Sequence, residues 1–169
     1  MAIPVSELQK ASPSSLIELF TLSLNSTLHG SSTVYRFHSG ANLNANGEVV
    51  WAGNSYLRFP IDCTGFEFGS TGSLPRPKIS ISNIFGTITA IMQDVNETTV
   101  GNDLNGATFT RIRTLARYLD AANFTGGTNP FGTPDPTAEF PQEIYFLDRK
   151  VTETRDIVTW EAQSALDLI

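Results

Sequence analysis

The stretch NGEVVWAGNSYLRFPIDCTGFEF, residues 46–68, decides how the rest of the chain is read. Asn46-Gly47 offers the positive-φ pair of a two-residue turn, and Gly53-Asn54 offers a second between EVVWA and SYLRF. The chain doubles back twice here, and a run of aromatic residues follows. Working outward, TVYRFHS (33–39) alternates Val34, Arg36 and His38 against Tyr35 and Phe37, which predicts a strand. RPKISISNI (76–84) sets Ile79 and Ile81 against Lys78, Ser80 and Ser82, a strand with one wet face.

Elsewhere the period changes or is ambiguous. IFGTITAIMQDVNETTV (84–100) spaces Ile84, Ile88, Ile91, Met92 and Val95 at three and four residues and predicts a short amphipathic helix. SLIELFTLSL (15–24) fits a strand covered on both sides or an amphipathic helix. After a turn at Asn105-Gly106, ATFTRIRTLARYLDA (107–121) fits a long strand or a helix with a basic face. Residues 123–143 hold three Gly and four Pro and predict a long loop, the best candidate for a contact surface. EIYFLDRKVTETRDIVTWEAQSAL (143–166) predicts two strands joined by a charged turn, with Ile144, Phe146, Ile157 and Thr159 pairing across. The expected fold is mainly β: a compact β-barrel or sandwich with one short helix and a long Pro/Gly-rich loop.

Composition bounds the function. A chain of 169 residues, 40% hydrophobic, fills one core, so a single β-rich domain over residues 1–169 is expected. A net charge of −6 disfavours dedicated nucleic-acid binding, which draws on phosphate contacts from Lys and Arg. Cys63 is the only cysteine, so this chain alone builds neither a disulfide nor a multi-thiolate metal site. Pro4, Glu7, Lys10, Pro13 and Glu18 interrupt residues 1–24, leaving no apolar signal core and no membrane span.

The search for reactive constellations finds no phosphate loop, HExxH, GxSxG or CxxC motif. His29 and His38 lack acidic or thiol company and receive no role. Asn42, Asn44, Asn46 and Gly47 have calcium-loop spacing, but the twelfth position is Gly53 and the charge to hold the ion is missing. Asp62, Glu67, Asp94, Asp103 and Asp120 show no spacing that proposes a hydrolase pair. Three Asn-x-Thr acceptor patterns, at Asn25, Asn96 and Asn123, matter only on a eukaryotic secretory route. Cys63, with no His or Lys beside it, reads as a small buried hydrophobe.

Residues 47–92 and 110–124 carry a resemblance. A GEVVWAG hairpin, a Y-x-x-F-P-I strand, a G-F-E turn, an R-P-x-I-x-I-S-N strand and an A-R-Y-L-D-A-x-N-F segment follow in order. In order and spacing they resemble the N-terminal domain of the phage minor tail protein L family. Trp51, Pro60, Gly65, Arg76, Pro77, Asn83, Arg117 and Asp120 are the matching positions, and by residue type they read as core, turn or strand-edge residues.

The resemblance implies a structural component of the tail tip of a long, non-contractile-tailed phage, made in the host cytoplasm and carried in the virion. It implies a hub between tail tube and central tail fibre protein, a homotrimeric ring in contact with neighbouring minor tail proteins, and a conduit that DNA passes without specific binding. Family members also bind an iron–sulfur cluster through a cysteine-rich C-terminal region. Those ligands are absent here, so no cofactor or metal is expected in this chain, and the chain is expected to be the N-terminal domain of a longer product. On this reading the protein is not an enzyme, and Pro60→Ala or Asn83→Ala should impair assembly more than the isolated fold. A competing class is a β-sandwich receptor- or carbohydrate-binding module with Trp51, Tyr56, Phe131 or Trp160 as stacking platforms. A small hydrolase is the third.

Overall fold

The structure is a computed structural model that describes residues 5–12, 14–40, 47–66, 72 and 74–164. The protein is mainly β. In chain order the elements are α1 (Val5–Leu8), β1 (Leu16–Ser23), α2 (Ser26–His29), β2 (Val34–His38), β3 (Glu48–Trp51), β4 (Asn54–Arg58), β5 (Ile61–Thr64), β6 (Lys78–Ser82), α3 (Thr87–Thr98), β7 (Thr108–Leu115), β8 (Glu143–Glu153) and β9 (Ile157–Gln163). Short 3-10 turns at Ala116–Tyr118, Ala121–Asn123 and Thr125–Gly127 follow β7. The strands belong to one open sheet in the order β3-β4-β2-β1-β7-β8-β9-β6-β5. Among the described residues no helix is long and apolar enough to cross a membrane.

The chain divides into two compact units. The first comprises Met1–Phe20, Arg36–Arg58 and Arg111–Glu143. Its core packs Leu19, Val49, Trp51, Tyr56, Ile112 and Leu119 with smaller neighbours. The second comprises Thr21–Tyr35, Phe59–Thr110 and Ile144–Ile169, and its buried apolar residues include Ile79, Ile81, Ile88, Met92, Leu147, Val158 and Trp160.

Both ambiguous segments are strands. In β1, Leu19 and Phe20 are chain neighbours and so point to opposite faces, yet both are buried, as a strand covered on both sides requires. β7 alternates buried Ile112 and Thr114 with partly exposed Arg111 and Arg113, then tightens into a 3-10 turn at Ala116. β2 and β6 lie where the alternation puts them, and Ile79 and Ile81 are both buried. The predicted helix is α3, which buries Ile88, Met92 and Val95.

Several expectations need correction. Ile84 precedes α3 and is 65% exposed, and two single-turn helices accompany α3. The β3–β4 turn falls at Ala52-Gly53, one residue earlier than predicted, with φ values of 50° and 79° and Trp51 paired with Asn54. The Y-x-x-F-P-I segment is two strands, because Pro60 has no N–H to continue a ladder and the chain breaks between β4 and β5. The β8–β9 hairpin exists, but its buried face is Tyr145, Leu147, Val158 and Trp160; Ile144 and Ile157 lie on the exposed face. Phe146 pairs with Gln163, and Thr159 with Thr152. Cys63 on β5 is half-buried, since among the described residues its strand has one neighbour, β6. The calcium-like Asn42, Asn44 and Asn46, the last also the first residue of the predicted 46–47 turn, and Glu67 fall outside the described residues; Gly47 has φ of 77°.

Candidate functional site

In the first unit the matched positions converge on the β3–β4 hairpin. Ala52 sits at positive φ, where an L side chain is strained, and Gly53 follows it there. The Asp120 carboxylate accepts from both turn amides, at 3.0 Å from Ala52 N and 2.9 Å from Gly53 N. Three residues on, the buried side chain of Asn123 accepts from Val50 N at 2.6 Å and donates to Val50 O at 2.7 Å. β3 is an edge strand, so this carboxamide takes the place of a neighbouring strand and closes the edge at Val50. Trp51 is 2% exposed and donates through Nε1 to Glu139 at 3.3 Å.

Arg117 fastens the Pro/Gly-rich segment. Its Nη1 donates to Thr133 O at 3.0 Å, its guanidinium stacks on Tyr118, and its carbonyl accepts from Asn129. Gly132 allows the approach, because a Cβ there would lie 2.8 Å from the guanidinium. Asn129 also donates to Leu119 O, and Phe140 N donates to Arg113 O. The long loop predicted here is therefore pinned to the fold, and it holds short 3-10 turns and an isolated bridge between Thr114 and Glu139.

The second unit gathers the remaining positions. Pro60 O accepts from Ser82 N, and Pro77 O accepts from Ala162 N. Arg76 bridges the carboxylates of Asp148 and Glu161, and this hydrogen bond holds Glu161 below the usual carboxylate range. Gly65 has φ of 86° and lies against Pro77, 3.4 Å from where a Cβ would stand. Asn83 is 5% exposed and spends every polar group. Its Nδ2 donates to Thr89 Oγ1 and Thr154 O, its Oδ1 accepts from Thr89 N, its backbone N donates to Asp156 O, and its carbonyl accepts from Gly86 N. Gly86, the N-cap of α3, has no side chain to cap the helix, so Asn83 does that work from three residues upstream.

The result is a hydrogen-bonded turn that carries Ile84 at 65% and Phe85 at 88% exposure. The first unit has the opposite feature, a cleft of about 430 Å³ lined chiefly by Leu16, Ile17, Val49, Ala116, Phe124 and Phe131. Phe124 and Phe131 meet edge to face at 6.2 Å. His38 also lines it; its Nε2 lies 3.2 Å from Gly47 O, and burial pushes its pKa down.

The other candidates are engaged or scattered. Asp103 is desolvated, which opposes its charge, but the Asn96 amide and Lys150 outweigh this and lower its pKa. Its carbonyl accepts from Trp160 Nε1 at 2.9 Å. Asp62 and Asp94 are exposed. His29 Nδ1 accepts from Asn25 N, and its Nε2 faces Asn105 O. Arg111 and Arg113 both pair with Glu143, so the basic run is spent within the fold. Of the four proposed stacking aromatics, Trp51, Tyr56 and Trp160 are buried and Phe131 is exposed. Among the described residues no group of three His, Cys, Asp or Glu side chains could hold a metal ion.

Sequence reasoning gave no structural role to Asn123 or Asn129, and it weighed Asp103 only as a catalytic carboxylate. For Asn123 a signal existed: it stands in the A-R-Y-L-D-A-x-N-F segment with Asp120.

The chain is 37% identical over 93 residues to the tail tip protein L of Escherichia phage lambda, an alignment covering 54% of this chain and 37% of that protein. The chain thus spans well under two thirds of the length of that relative. The sequence model for phage minor tail protein L matches residues 27–169, which contain all eight matched positions, and the chain belongs to the phage minor tail protein L family.

Proposed function

We propose that this protein is the part of a phage tail-tip hub that joins the tail tube to the central tail fibre, acting in tail assembly and bordering the DNA conduit. As a member of the phage minor tail protein family it is a structural component of the virion's tail. The finer reading is a homotrimeric ring against neighbouring minor tail proteins. The observation that carries it is the family match over residues 27–169, whose motif side chains are spent on holding turns and edges. The net charge of −6 and the internal pairing of Arg111 and Arg113 suit a surface along which DNA slides without sticking. We assign no enzymatic role.

An iron–sulfur cluster needs four ligands, usually thiolates. This chain offers the single thiol Cys63, so its residues do not fit such a cluster and none is given a part here. A receptor- or glycan-binding module would need exposed aromatic platforms, and Trp51, Tyr56 and Trp160 are buried.

The test is immunogold electron microscopy of purified particles with antibody raised against this chain. Label confined to the distal tail end is expected. Unlabelled tails, with the protein free in the lysate, would sink the hub reading.

A further inference from the structure

We propose that His29 is an acid-released clamp that joins α2 to the loop at 99–106 and opens that corner of the second unit at a pH where carboxylates keep their charge. The inference goes beyond the hub reading and does not rest on it. His29 is 3% exposed at the end of α2, and both ring nitrogens are engaged by backbone groups of fixed role. A backbone N–H only donates, so Asn25 N at 2.8 Å requires a bare Nδ1. A carbonyl only accepts, so Asn105 O at 3.1 Å requires a hydrogen on Nε2. The closed clamp is therefore the neutral Nε2–H tautomer. A second proton has only Nδ1 to go to, where it meets the Asn25 N–H.

The loop is what the clamp restrains. Gly101, Asp103, Leu104 and Gly106 have φ between 51° and 86°, and two of them carry side chains, a conformation that persists only where the surroundings impose it. Trp160 Nε1 holds Asp103 O, Leu147 O holds Gly106 N, and His29 holds Asn105 O. Leu28 packs beside Gly106, its Cδ1 2.8 Å from where a Cβ there would stand. A helix as short as α2, four residues, has little stability of its own once the ring lets go.

The charges around the ring do not protect it from acid. Residues 21–35 hold no Asp, Glu, Lys or Arg. On the elements packed against α2, α3 offers Asp94 and Glu97, both exposed, and the loop offers Asp103, bound by Asn96 and Lys150. On β8, which holds Gly106 through Leu147, Asp148 and Arg149 are paired with Arg76 and Glu161. Among the described residues none of these charges is paired with the ring. Three carboxylates against the one ammonium of Lys150 favour uptake of a proton once the bond to Asn25 is given up.

An ordinary imidazole takes its second proton as pH falls through about 6.5. Because only the open corner has room for that proton, the open state binds more protons than the closed one, and opening grows as pH falls. Relative to pH 8, the growth is about fourfold at pH 6 and about thirtyfold at pH 5.

The experiment follows amide hydrogen exchange of the chain at pH 8, 6 and 5, corrected for intrinsic rates, with the ring nitrogen shifts of His29 read by NMR. At pH 8 the ring should be the Nε2–H tautomer. On acidification residues 25–30 and 101–106 should lose protection by the factors given, while Ile79 and Ile81 on β6 keep theirs within about twofold. His29→Gln and His29→Asn carry carboxamides that hydrogen-bond but do not titrate, so these segments should exchange alike at all three pH values. A ring that takes up its proton while the corner keeps its protection overturns the clamp, and this reading needs no variant to fold. A pH response that persists in either folded variant overturns it equally.

Discussion

Two turns, one in each unit, are held by the same chemistry and put to opposite uses. At Ala52-Gly53 the carboxylate of Asp120 and the carboxamide of Asn123 bind outward-facing backbone groups of a hairpin, and the adjacent Trp51 is buried beneath. At Ile84–Phe85 the carboxamide of Asn83 binds the first turn of α3 and the β8–β9 turn, and the adjacent side chains project into solvent. A short polar side chain with three or more hydrogen bonds fixes backbone equally well in both places. What differs is whether the fixed backbone carries its apolar residues inward, where they stabilise the fold, or outward, where only a partner can bury them.

The largest expected effect sharpens the inward half. Asn123→Ala removes the partners of Val50 N–H and C=O together at a buried position, which should cost about 3 kcal/mol of unfolding free energy by urea denaturation. The opened β3 edge should also promote self-association at high concentration. A loss below about 0.5 kcal/mol, the range of ordinary surface substitutions, would show that water replaces the carboxamide and would break the comparison.

Next comes Asn83→Ala, expected to cost about 2 kcal/mol, since Thr89 N–H and Thr154 C=O lose a partly buried partner. Complementation with the same variant tests the sequence-based expectation that Asn83→Ala impairs assembly more than the isolated fold. The urea measurement on Asn83→Asp should recover part of the loss, because a carboxylate still accepts from Thr89 N.

These roles mark where the sequence was readable. The strand–turn–strand pattern of EVVWAGNSYLR identifies the hairpin, because period-two alternation and a glycine turn are local signals. It places the turn one residue late, because Ala52 at positive φ is tolerated only with the Asp120 carboxylate, far along the chain. On β8–β9 the strands were legible but the face was not: Ile144 and Ile157 are as apolar as Leu147 and Val158, and burial alone separates them. Asn123 stands in the A-R-Y-L-D-A-x-N-F segment, yet its partner lies 73 residues away, and sequence spacing carries no information on such a contact.

A smaller effect depends on pH. In the second unit Glu153 is held below the usual carboxylate range by Lys150 and Thr89, Glu161 by Arg76, and Asp103 by Asn96 and Lys150 against its own desolvation, which ties strands and helix of that unit together; in the first unit Glu7 is lowered by Lys10 and Asp135 by Thr137, both through partners close along the chain. Each folded-state pKa lies below its unfolded value. Their contribution is therefore fully present above the unfolded carboxylate pKa values and is lost as pH falls through the depressed ones, below about pH 4. Because the three groups of the second unit are partly solvated, the loss there should be no more than about 1 kcal/mol per pair. Amide hydrogen exchange at pH 3.5 against pH 6, corrected for intrinsic rates, should show protection falling in β8, β9 and the start of α3 before the Ala52-Gly53 hairpin. Earlier loss around Ala52-Gly53 would mean that the hairpin turn, bound by one carboxylate, is the more acid-sensitive of the two.

The smallest expected change in stability cuts the comparison most cleanly. Phe85→Ser removes an 88% exposed ring from a turn whose hydrogen bonds all come from Asn83 and the backbone, so unfolding free energy should stay within about 0.5 kcal/mol of the parent. Assembly should nonetheless fail: complementation with Phe85→Ser should leave particles lacking the protein at the tail tip, scored by immunogold labelling beside Asn83→Asp as the control with the anchor intact. A fold loosened as much as by Asn83→Ala would mean that Phe85 packs within its own chain, and the outward use of the turn would be lost. A stable fold that still enters the tail would place the partner-facing surface elsewhere, with the segment held by Arg117 and Asn129 next in line. Between those outcomes, unchanged stability with lost incorporation is the one that a turn built to present its side chains, and not to bury them, requires.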